Sequence, residues 1–120
     1  MESQFFFWLG FAIMLAHEMD AVRCQEWRIF PLLSNLDEKV GYYVLTGLHI
    51  PLYWLAFWAL FRHGELDHSL VIGLDIFFII HTLLHLIALK HPRNQFTSVF
   101  SWLIIIGSGI AGLIDLLFIL

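Results

Sequence analysis

Four long apolar stretches fill most of the chain, and each is broken by a few polar positions. They cover residues 5–27, 40–61, 70–89 and 96–120. Roughly 20 apolar residues cross about 30 Å of hydrocarbon, so each stretch predicts a membrane helix. In the first, the membrane part ends near Val22. It continues as an interfacial amphipathic segment through Trp27, because Arg23, Glu26 and Arg28 arrive without a turn signal, and Pro31 ends it. The links 31–39, 62–69 and 90–95 are short, which favours antiparallel neighbours. The expectation is one all-α domain over residues 1–120, an integral membrane up-down four-helix bundle.

The polar interruptions are regular. Gly10, Ile13, His17, Asp20, Cys24 and Trp27 follow steps of three and four along the first helix. Tyr42, Thr46, His49 and Tyr53 do the same on the second, and Phe78, His81 and His85 on the third. Polar stripes in membrane helices face the bundle. At about 1.5 Å per residue, His17, His49, His81 and His85 should fall in one slab roughly 7 to 13 Å below one surface. Ionisable groups at such depth are costly and mark a functional site.

Charge gives the orientation. Arg23, Arg28, Lys39, Lys90 and Arg93 cluster at the first and third links, while the second holds only Arg62. The positive-inside rule then places the histidine slab in the cytoplasmic leaflet of a membrane, expected to be a bacterial inner membrane, with both termini outside. The segment Met1-Glu2-Ser3-Gln4 carries no positive charge and no small-x-small cleavage site follows the apolar run, so the first helix reads as retained. Only 13% of residues are charged and the net charge is −4, which speaks against a soluble domain and against nucleic-acid binding. Trp8, Trp27, Trp54, Trp58 and Trp102, with Tyr42 and Tyr43, lie near helix ends and read as an interfacial belt. The single cysteine, Cys24, excludes an internal disulfide and reads as a small interfacial residue rather than a ligand.

His81 and His85 stand one helical turn apart, the spacing that puts two imidazoles on one metal. His17 and His49 supply further nitrogens. Asp20 is either an oxygen ligand or a base that orients a histidine, and Glu18 is a second candidate base. Glu18 projects about 100° from His17, where a lipid-edge or subunit contact is the competing use. The ring of Pro51 frees the carbonyl of Gly47 and could open room near His49. The plainer reading of the whole set is a hydrogen-bonded polar network between helices. Asp75 and Asp115 form a separate pair at the opposite end. Two nearby carboxylates would share a proton, though Asp115 could instead snorkel to the surface. Gly107, Ser108, Ala111 and Gly112 make a small-residue face, a candidate contact between copies in a homo-oligomer.

These motifs resemble those of small four-helix bacterial membrane proteins of the HxxEE type, and a related domain family of unknown function. The resemblance rests on His17-Glu18-Met19-Asp20, then Glu26-Trp27-Arg28 and Pro31, then His49, then His81 and His85. Asp20 stands where the first motif glutamate would be, and Ala21 at the second. The resemblance implies a membrane metalloenzyme without an established reaction. Three functions follow from the residues. The leading one is a metal-dependent enzyme acting on a lipid or other apolar substrate, with zinc or iron held by His17, Asp20, His49, His81 and His85, and with Glu18 and Asp20 as catalytic groups. The second is a haem-binding electron carrier. The third is a non-catalytic channel, transporter or assembly subunit.

Overall fold

The computed structural model describes residues 4–120. Four helices follow one another: α1 Phe5–Arg23, α2 Glu38–Phe61, α3 His68–Ile87 and α4 Val99–Ile119. Each is long and apolar enough to cross a membrane, and no strand occurs among the described residues. The chain is therefore an all-helical membrane bundle, measuring 42 × 28 × 20 Å.

Helix starts are set by side chains that capture the free amide of the first turn. Asp37 accepts from the Val40 amide at 2.8 Å. Asp67 accepts from Leu70 at 3.0 Å and Ser98 from Ser101 at 3.0 Å. Helix α1 has no such residue of its own. Its Phe7 amide donates instead to Asp115 at the far end of α4, at 3.1 Å.

Helix α4 packs along both α1 and α3, whereas α2 touches the others sparsely. Small residues make the α4 contacts possible. A side chain at Gly112 would meet the Asp75 carbonyl oxygen at 2.9 Å, and one at Gly109 would run into Thr82. Ala111 lies where a Cβ on Gly10 of α1 would sit 3.1 Å away. Gly109, Ala111 and Gly112 are thus used inside one chain. Of the three residues expected at a contact between copies, Ala111 and Gly112 pack on α1 and α3 within the chain.

The aromatic core lies toward the end of the bundle where α1 and α3 begin and α2 ends. Phe7, Phe11, Met14, Leu60, Val71 and Phe78 form one buried cluster. Thr82 ties α3 to α4 by donating to the Ile105 carbonyl at 2.8 Å.

Three expectations change. Helix α1 does not run to Trp27. It stops at Arg23, Gln25 adopts the left-handed conformation at φ 51°, and a short 3₁₀ turn follows at Glu26–Arg28. Trp27 is not part of an interfacial belt, because it is 1% exposed. It packs on Gly41, where any side chain would collide with the indole. On α2 the inward line runs through Gly41 and Leu45, so Tyr42 and Thr46 point outward. A sparsely packed helix leaves more of its surface to the surroundings, and a polar stripe does not fix its rotation.

Candidate metal centre

Three histidines from two helices meet beneath the α1 break. His17 is fully buried, and His81 and His85 are nearly so. Their ring centroids lie 4.6 Å apart for His17 and His81, 4.9 Å for His17 and His85, and 4.6 Å for His81 and His85. The one-turn spacing on α3 produces the last pair, and the matched depth of α1 produces the other two.

The fourth member is Glu26. The left-handed Gln25 reverses the chain after α1 and lets Glu26 return toward the histidines. Its Oε2 lies 3.6 Å from His17 Nε2, an ion-pair distance just beyond a hydrogen bond. The turn is braced by Arg28, whose Nε donates to Gln25 Oε1 at 2.5 Å. Burial pushes the Glu26 carboxyl up, but His17 and the charges of His17, His85 and His81 outweigh it and hold the group below its ordinary value.

His17, Glu26, His81 and His85 each offer one ligand atom, and these atoms all lie within 4.8 Å of one another. Several of them lack a hydrogen-bond partner: both ring nitrogens of His17, Nδ1 of His81 and Oε2 of Glu26. Buried polar atoms are nearly always satisfied, so a cluster of convergent orphans calls for an explanation. One divalent ion would meet a single nitrogen of His17 together with His81 Nδ1 and Glu26 Oε2, since an imidazole offers one ion only one of its two nitrogens. Nitrogen and oxygen ligands about 2.0–2.2 Å from a tetrahedral zinc stand roughly 3.4 Å apart, which this group reaches by a small contraction.

Phe96 closes one side. Its ring stacks on His17 at 5.4 Å and meets His85 edge-on at 4.6 Å. The other side opens into a cavity of about 310 Å³. Glu26, His81 and His85 line it together with Phe30, Leu45, Phe77 and Leu84. Glu18 and His49 also stand on its wall.

Two residues expected among the ligands lie elsewhere. His49 is engaged at both nitrogens: Nδ1 donates to the Leu45 carbonyl at 2.6 Å, and Nε2 meets Glu18 Oε2 at 2.6 Å. Since Nδ1 carries a hydrogen, the proton between Nε2 and Glu18 is the one free to move. Asp20 faces the opposite way. It accepts from Ser101 at 2.6 Å and from Arg23 Nε at 2.9 Å. The reason is helical phase: about 100° per residue swings Glu18 to one side of His17 and Asp20 to the other. One side looks at α2, the other at α4. Cys24 donates to Asp20 at 3.8 Å. Burial and then the Asp20 charge push its thiol up, which keeps it from acting as a thiolate ligand.

A haem does not fit this group. Ligation by two axial histidines needs a macrocycle between the imidazoles, whereas His17, His81 and His85 are in edge-to-face contact and both His49 nitrogens are engaged.

The chain belongs to a family of unknown function, DUF6713, whose profile matches residues 3–120. No curated protein and no solved structure matches it.

Proposed function

We propose that this protein is a membrane metalloenzyme that holds one zinc or iron ion with His17, Glu26, His81 and His85 and acts on a lipid or other apolar substrate. The observation that carries this reading is the group of four ligand atoms within 4.8 Å, most of them buried without partners. Three imidazoles and one carboxylate suit zinc and iron alike. A divalent ion there supplies Lewis acidity for hydrolysis.

The chain's own residues supply the rest. Phe30, Leu45, Phe77 and Leu84 offer an apolar wall for an acyl-like substrate and exclude water. Glu18 and His49 share one mobile proton at the same wall, which suits them to general acid–base work. Asp20 is a positioning residue that anchors α1 on α4 through Ser101. The basic residues near the first and third links support the cytoplasmic leaflet, and the resemblance to HxxEE-type bacterial membrane proteins supports an inner membrane and the same chemistry.

Elemental analysis of the purified full chain, with an absorption spectrum, tests the proposal. About one equivalent of zinc or iron and no Soret band is the expected result. A metal-free protein that takes up neither ion on titration overturns it and favours a channel or assembly role.

A further inference from the structure

A second polar site lies at the other end of the same helices. Asp75 on α3 is fully buried and Asp115 on α4 is 1% exposed. Their carboxyl groups are neighbours, because Gly112 lets the α4 backbone approach Asp75 directly. Asp115 Oδ1 accepts the Phe7 amide. The other three carboxyl oxygens, Asp75 Oδ1 and Oδ2 and Asp115 Oδ2, have no hydrogen-bond partner among the described residues.

No described cationic side chain forms an ion pair with either aspartate. Helix α1 presents only the Phe7 amide. Arg62, His63, Glu65, Asp67 and His68, in the α2–α3 link and the start of α3, are turned toward the surface or its edge. Two adjacent buried carboxylates without a counter-ion repel each other and lose their hydration. Either a metal cation or a proton must neutralise them. Calcium takes six to eight oxygens and magnesium keeps several waters in its shell, whereas this pair has three free carboxyl oxygens and lines none of the principal cavities. One proton suffices.

We propose that Asp75 and Asp115 form a proton-binding site, in which the two carboxyl groups hold one exchangeable proton between them. Asp115 Oδ1 already accepts the Phe7 amide, so the shared proton lies among the three free oxygens. Along α1 and α3, buried Phe11 and Phe78 lie between this pair and the histidines.

Infrared spectroscopy of the full chain in lipid tests this. The wild type at neutral pH should show a deuterium-sensitive C=O band of a protonated carboxyl. Labelling aspartate with ¹³C at the carboxyl should shift it. Asp20 is ion-paired, and Asp37 and Asp67 are helix caps at the surface, so the aspartate band reports the pair. It should disappear as pH is raised and be lost in Asp75→Asn. If that variant does not fold, the label in the wild type decides alone. Absence of an aspartate-derived band at neutral pH overturns the proposal. So does its loss on adding sodium or calcium at constant pH, which would mark a metal-cation site.

Discussion

The two polar layers of this bundle solve the same problem differently. At one end, His17, Glu26, His81 and His85 gather around a shared centre and border a 310 Å³ cavity. At the other, Asp75 and Asp115 are sealed in the tight packing of α3 on α4 and line none of the four principal cavities. The difference follows from the fourth helix. Where α4 carries glycine and alanine, its backbone closes on α1 and α3. Beneath the α1 break, the sparsely packed α2 and the returning 3₁₀ turn border a cavity. Close packing seals one polar layer, and a gap opens the other.

The largest effect should come from the histidine layer. His81→Ala or His85→Ala should weaken metal binding by more than the roughly 10–100-fold that loss of a supporting partner costs. Asp75→Asn should leave metal content unchanged. Inductively coupled plasma mass spectrometry on matched preparations compares them. Metal content that follows Asp75 would join the layers into one site. Acid should act in the same direction as the histidine variants. Ligating imidazoles and carboxylates must be deprotonated, so protons compete with the ion. Loading should fall as pH is lowered, and zinc titrations at a series of pH values read it.

The packing half of the comparison is tested at Gly112. A leucine there meets the Asp75 backbone, which cannot yield as a flexible side chain can. It should cost at least the roughly 1–3 kcal/mol typical of overpacking. Gly73→Ala is the control, since nothing lies within 4 Å of the added methyl, and it should be neutral or gain up to about 1 kcal/mol from helix propensity. Denaturant unfolding in detergent measures both. Ser101→Ala comes next. It removes the 2.6 Å donor to buried Asp20, a loss of about 1–3 kcal/mol.

Much of this was legible from spacing. The periodic apolar runs give four helices, and matched depth with the one-turn histidine spacing gives His17, His81 and His85. Glu26 was not legible as a member of the group. It lies nine positions after His17, and at about 100° per residue a continuous helix would turn it roughly 180° away. Only the left-handed Gln25 returns it, and glutamine carries no strong preference for that conformation. The one available hint was Glu26 in the Glu26-Trp27-Arg28 motif. His49 and Asp20 were drawn into the site because both interrupt apolar runs. Their partners, Glu18 and Ser101, lie on other helices, and sequence periodicity says nothing about which neighbour a polar residue meets.

The smallest expected change sharpens the boundary of the reaction site itself. Glu18→Gln removes a carboxylate from the cavity wall but none of the four ligand atoms. Metal content should therefore stay within about twofold of the wild type, below the roughly 10-fold at which supporting partners begin to register. His49→Gln should behave alike, because both His49 nitrogens are already engaged by Leu45 and Glu18. If either substitution empties the site, Glu18 and His49 belong to the metal's coordination rather than to proton handling beside it. If both leave the metal in place, the cavity has two chemically distinct walls: one that binds an ion, and one that moves a proton.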